Sequence, residues 1–98
     1  MFDKNLVKLE HIVECLEDDG LVCLRQIIYN SFFSRNEEDR KCSINFLNEK
    51  VFGSGLRRGY LEKGELILVV STECYTGFVD AGPVPDKYMN VGYYPFEI

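Results

Sequence analysis

The pattern of apolar and polar positions is most distinctive at residues 65–71, where five consecutive apolar side chains, all branched, stand between polar ends. A short run of this kind is typical of a strand that is covered on both faces. Residues 56–61 and 74–79 also have an extended pattern, and Gly64 follows Lys63 where a hairpin turn needs a positive φ angle. The pattern therefore predicts an antiparallel sheet with 65–71 as its middle strand.

The first fifty residues have helical periodicity instead. In residues 5–17 apolar side chains recur every three or four positions, which predicts an amphipathic helix. A second helix is predicted to begin at Leu21, and only Arg25, Gln26 and Asn30 are expected to face solvent along it.

A third helix is predicted over residues 34–52. Ser34 and Glu37 fit a capping box, in which each side chain bonds the backbone N–H of the other residue. Gly53 is a natural left-handed residue at the end of this helix.

The last nineteen residues differ in composition. Two prolines in residues 80–86 predict irregular structure, because proline lacks a backbone donor and fixes φ. Aromatic residues follow, and two roles are open for them. They either cover the second face of the sheet, with residues 93–96 as an edge strand, or they form a binding surface.

These elements predict one domain over residues 1–98, with a helical part at 3–52 and a sheet with an aromatic tail at 56–98. The expected fold class is α+β: three N-terminal helices packed on a three- to four-stranded antiparallel sheet.

The net charge and the apolar segments indicate which partners and which cellular location to expect. Eleven basic and sixteen acidic residues give a formal charge of −5, which disfavours nucleic acid and favours a basic protein partner. No apolar segment is long enough for a signal peptide or a bilayer span, so we expect a cytoplasmic protein without membrane contact.

Four cysteines, spaced 8, 19 and 32 residues apart, match no paired zinc-ligand pattern and indicate reduced thiols.

Three possible chemical sites give weak signals. His11 and Cys15 lie four residues apart and share one helix face, but a closed metal site needs four ligands. The same pair is a poor catalytic dyad, because acidic neighbours raise a thiol pKa. The Gly-Ser-Gly stretch at 53–55, followed by Arg57 and Arg58, ends a helix, whereas phosphate loops open one. We predict no catalytic, metal or cofactor site and no enzyme.

The function predicted is a small acidic protein-binding module that regulates or inhibits a macromolecular partner. An acidic strip and the aromatic tail are the expected partner-binding surfaces, although the strip is also consistent with a solvated helix face. Their residues are Glu10, Glu14, Glu17, Asp18, Tyr88, Tyr93, Tyr94 and Phe96. The alternative is a winged-helix DNA-binding regulator that uses helix 34–52 and hairpin 56–71, with Arg57, Arg58 and Lys63 on the wing.

Overall fold

The structure is a computed structural model that describes residues 6–12, 20–73 and 75–89. Within these ranges the fold is α+β, with four helices and a four-stranded mixed sheet. In chain order the elements are β1 (Leu6–Lys8), α1 (Leu9–Ile12), α2 (Gly20–Phe33), α3 (Glu37–Lys50), β2 (Leu56–Glu62), β3 (Glu65–Ser71), β4 (Thr76–Pro83) and α4 (Asp86–Met89).

The sheet has the strand order β1-β4-β3-β2. Strand β3 is antiparallel to both β2 and β4, so the prediction that it is an interior strand is confirmed. Lys63 and Gly64 close the β2–β3 hairpin with φ angles of +52° and +82°. Two consecutive residues with positive φ define the type I′ turn, whose twist matches that of the flanking strands.

The predicted all-antiparallel sheet is wrong at one edge, because β1 pairs in parallel with β4. Residues 6–8 were predicted to begin a helix and instead form β1, and the described part of the helix is Leu9–Ile12. The remainder of that predicted helix, residues 13–17, lies outside the described residues, as does the predicted edge strand 93–96. The position beside β4 is occupied by β1.

Strand β4 extends further than predicted, since residues 80–83 were expected to be irregular and instead continue the ladder. The ladder between Glu65 and Ile67 contains a register shift, and Gly82 has a φ of +100°. This irregularity lets the strand reach Pro83, which pairs with Glu65 at the end of the ladder, where proline is tolerated.

Helices α2 and α3 lie close to their predicted positions, but the cap of α3 is two residues later than predicted. Asn36, not Ser34, is the N-cap, and its Oδ1 accepts hydrogen bonds from the N–H groups of Glu38 and Asp39, at 2.9 and 3.2 Å. Ser34 Oγ instead accepts the N–H of Asn36 at 3.2 Å. The left-handed φ predicted for Gly53 is confirmed at +71°, but the C-cap of α3 is Val51, two residues earlier.

The hydrophobic core lies between α2, α3 and one face of the sheet. Alternate residues of β3, namely Leu66, Leu68 and Val70, point into it because successive strand side chains face opposite ways. Gly59 of β2 makes room on this face: a Cβ atom there would lie 2.6 Å from the ring of Phe32. The sheet and the two helices are therefore in direct contact.

Candidate functional site

An open cavity of about 720 Å³ lies at one end of the helical layer. Its described lining comes from β1, α1, the segment after α3, the ends of β3 and β4, and the loop between those two strands. The lining is mostly apolar, and its described residues are Val7, Ile12, Val51, Phe52, Gly53, Ser54, Gly55, Val70, Thr72, Glu73, Tyr75 and Val79. Ligand-binding pockets commonly have this volume and an apolar lining with a few polar groups.

The wall after α3 is fixed by close packing of backbone on backbone. At Gly55 a Cβ atom would lie 2.3 Å from the carbonyl oxygen of Ser71, so only glycine fits there. This contact holds the Gly-Ser-Gly stretch directly against the end of β3. The stretch predicted as a helix cap is therefore also one side of a cavity.

Arg57 lies next to this wall and is only 1% exposed. Its Nη1 donates a hydrogen bond of 3.1 Å to Gly53 O, and its Nη2 donates to Asn48 Oδ1. Its guanidinium carbon is 5.4 Å from the centroid of the Phe52 ring, while its buried Nε has no hydrogen-bond partner. Burial lowers the pKa of Arg57, because a low dielectric disfavours the charged form. The wing position that the DNA-binding alternative gives to Arg57 is wrong, because its side chain is buried.

The β3–β4 loop forms another part of the rim and is held by its own hydrogen bonds. Thr72 N donates to Tyr75 O at 2.7 Å, and Thr72 Oγ1 accepts the N–H of Tyr75 at 3.0 Å. Tyr75 Oη donates to Phe78 O at 3.1 Å, and burial raises the pKa of this phenol. Glu73 is exposed at the tip of the loop. It supplies the only carboxylate among the described residues that line the cavity.

Of the predicted acidic strip, the structure describes Glu10. Its carboxylate is exposed and lies 3.2 Å from Arg25 Nη2. A backbone hydrogen bond, aided by the positive charge of Arg25, lowers the pKa of Glu10. Glu14, Glu17 and Asp18 lie outside the described residues, so a continuous strip stays a prediction.

Of the predicted aromatic surface, the structure describes Tyr88, which is 8% exposed. Its ring centroid is 5.5 Å from that of Tyr29 and 5.7 Å from that of Phe33. Its hydroxyl donates to Asn30 Oδ1 at 2.8 Å and accepts from Gln26 Nε2. In this structure Tyr88 therefore belongs to the core cover, whereas Tyr93, Tyr94 and Phe96 lie outside the described residues.

The polar face of α2 was expected to face solvent and is instead partly covered. Arg25, Gln26 and Asn30 are all half-buried. Arg25 Nε donates to Ala81 O at 3.0 Å, and Lys87 Nζ donates to Gln26 Oε1 at 2.9 Å. The end of β4 and helix α4 thus pack on this face of α2.

The predicted chemistry-bearing residues do not form a cluster in the described part of the chain. His11, Cys23 and Cys42 are exposed, with both cysteines as free thiols, and Cys15 and Cys74 lie outside the described residues. No group of three potential metal ligands occurs among residues 6–12, 20–73 and 75–89. Over the same ranges no helix has the length and apolar character needed to cross a bilayer.

The described residues agree with the DNA-binding alternative in one respect and disagree with it in two. The hairpin 56–71 is present, and Lys63 is exposed at its turn. Arg57, however, is buried beneath Phe52, and the first turn of α3 exposes Glu37, Glu38 and Asp39. Carboxylates at that position oppose a phosphate backbone.

Comparison of the chain with protein-family models, with curated proteins and with solved structures gives no match. The cavity was missed by sequence reasoning, because its lining residues come from separate parts of the chain, within residues 7–12, 51–55 and 70–79. Gly55 gave a usable signal: a second glycine two residues after the helix-ending Gly53 indicates a close backbone approach.

Proposed function

We propose that this domain is a non-catalytic protein-binding module that regulates or inhibits its partner, and that the cavity is its recognition site. The observation that supports this proposal is the cavity itself, about 720 Å³ in volume and open to solvent on one side. An open apolar cavity loses unfavourable contact with water when another apolar surface covers it.

The shape of the site favours a protein segment over a small molecule. Small ligands typically have roughly 70–90% of their surface buried in a cleft or cavity. A cavity that is open on one side covers part of a bound segment and leaves the rest in solvent. The half-buried Phe52 on its wall is the kind of aromatic side chain that contributes strongly to binding energy.

The chemistry of the lining supports binding without turnover. Its described ionisable side chains are the carboxylate of Glu73 and the phenol of Tyr75. The phenol is hydrogen-bonded to Phe78 O, and burial raises its pKa above the ordinary value. Neither group is arranged as a nucleophile with an adjacent base.

Site-specific photo-crosslinking tests this proposal directly. A photoreactive phenylalanine analogue at Ser54, which is exposed and lines the cavity, should give a protein adduct in a lysate of the source cells. The same analogue at Asn45, which is exposed on α3, is the matched control. The protein captured at Ser54 should then bind the purified domain, and Ser54→Trp should remove that binding by filling the mouth of the cavity.

Three outcomes would contradict the proposal. One is equal capture at both positions, and another is binding that survives Ser54→Trp. The third is a small-molecule adduct at Ser54 in place of a protein, which would make the cavity a ligand pocket.

A further inference from the structure

The charge around the cavity identifies the kind of segment that it takes. Resting on the function proposed above, we propose that the partner segment is basic and amphipathic. Its apolar side chains occupy the cavity, and a lysine or arginine beside them pairs with Glu73.

Glu73 is placed to act as an ionic anchor at the rim. The loop that carries it is held by the two Thr72–Tyr75 hydrogen bonds, so the carboxylate projects from a fixed base. Glu73 has no ion pair within the described part of the chain. A partner cation therefore does not have to displace an internal one.

The end of α3 also lies beside the cavity, but its negative potential is already neutralised. Residues 51–55 follow the C-terminus of α3 and line the cavity. A helix C-terminus carries roughly half a negative elementary charge, which favours a nearby cation. That cation is Arg57, which is 1% exposed, is bonded to Gly53 O and carries a full positive charge, so a partner cation is attracted by Glu73 and not by this helix end. The formal charge of −5 acts in the same direction as Glu73 and speeds the approach of a basic partner.

The apolar requirement follows from the remaining lining. Val7, Val70 and Val79 come from three neighbouring strands, and Ile12 and Phe52 face them from the helical side. A cavity in the size range of drug-sized ligands accommodates more than one side chain. The segment should therefore carry at least two apolar residues close to its basic residue.

Selection of random peptides displayed on phage, with the purified domain as target, tests this inference. Enriched peptides should combine Lys or Arg with two or more apolar residues. For a synthetic copy of an enriched peptide, measured by fluorescence anisotropy, Glu73→Gln should raise the Kd about fivefold, as expected for an exposed ion pair. Glu73→Lys should raise it further and should select acidic peptides in a repeated selection.

Glu62→Lys is the matched control, because Glu62 is an equally exposed carboxylate at the hairpin end of β2, away from the cavity. Glu62→Lys changes the net charge by the same amount as Glu73→Lys. It should leave the Kd for the same peptide within twofold of the wild-type value. Peptides that require an intact Ser54 but carry no basic residue, and whose Kd does not respond to Glu73→Gln, would overturn the basic-segment inference while supporting the proposed function. Failure to enrich any peptide that Ser54→Trp displaces would instead count against the proposed function itself.

Discussion

The guanidinium carbon of Arg57 lies 5.4 Å from the centroid of the Phe52 ring, and Phe52 lines the cavity whereas Arg57 does not. This arginine has neutral acceptors, Gly53 O and Asn48 Oδ1, and both belong to the end of α3 or the turn after it. A cation at this position interacts favourably with the negative end of the helix. Arg57 thereby fixes the end of α3 against the sheet and holds one wall of the cavity in place.

Replacement of Arg57 by lysine should lower the free energy of unfolding by about 1–3 kcal/mol. Lysine keeps the charge but cannot bond two acceptors in a plane and stack on the ring of Phe52, so a buried polar group loses its partner. Urea denaturation followed by circular dichroism measures the change. Arg35→Lys is the control, because the side chain of Arg35 is exposed in the loop before α3, and it should stay within about 0.5 kcal/mol of wild type. Equal effects of the two substitutions would contradict the interior role of Arg57.

Gly82→Ala should destabilise the domain by about 1–3 kcal/mol for two reasons. Its φ of +100° is unfavourable for alanine, and a Cβ atom there would lie 3.0 Å from Arg25 Nε, which donates to Ala81 O. Gly64→Ala separates the two causes, because Gly64 also has a positive φ but open space around its Cα. Thermal unfolding should show a larger loss of stability for Gly82→Ala than for Gly64→Ala. A loss no greater than that of Gly64→Ala would mean that the Arg25 contact is unimportant.

Tyr88→Ala should cost about 3–5 kcal/mol, the usual range for removing a buried aromatic ring. The ring packs on Tyr29 and Phe33, and its hydroxyl bonds Asn30. Its neighbour Met89 is 56% exposed, so Met89→Ala should change stability by less than about 0.5 kcal/mol. The same reasoning predicts that a chain ending after Pro85 loses stability. If that chain is as stable as the full chain, α4 does not contribute to the core.

The carboxylate of Glu10 should titrate below its ordinary pKa in the folded protein. A lowered folded-state pKa contributes stability above the unfolded-state value, and this contribution is lost as the pH falls through the folded value. Carbon-detected NMR titration of the Glu10 side chain measures the shift. Arg25→Gln should raise this pKa only partway to its ordinary value, because a backbone hydrogen bond is the larger cause. If Arg25→Gln returns the pKa of Glu10 fully to its ordinary value, the ion pair with Arg25 alone lowers that pKa.

Local sequence signals were sufficient for the β2–β3 hairpin and for α2 and α3. The turn at Lys63 and Gly64 has residues that its geometry requires, and the apolar run of β3 fits only an interior strand. The cap of α3 was misassigned because Ser34 and Asn36 are both good cap residues, and the choice depends on where the chain leaves α2. Nothing within residues 6–8 distinguishes the first turn of a helix from a three-residue strand, since the pairing partner lies in β4.

Most of the candidate site could not be predicted, because it depends on contacts between distant segments. Arg57 and Arg58 are adjacent and chemically identical, yet one is buried and the other exposed. Which of them points inward depends on the strand register that β3 imposes. The hypothesis of a site at His11 and Cys15 likewise required further residues nearby in space, which sequence spacing alone does not provide.

The parallel pairing of β1 with β4 has a consequence for how the protein is made. Leu6 aligns with Phe78 and Lys8 with Asp80, so each paired position is 72 residues from its partner. During synthesis the first strand leaves the ribosome long before its partner exists, while the β2–β3 hairpin finds its partner almost at once. Non-local pairing of this kind slows folding, since the loop-closure entropy is lost before the contact forms. The cavity, which is lined by both Val7 and Val79, is therefore completed only after residue 79 has been translated.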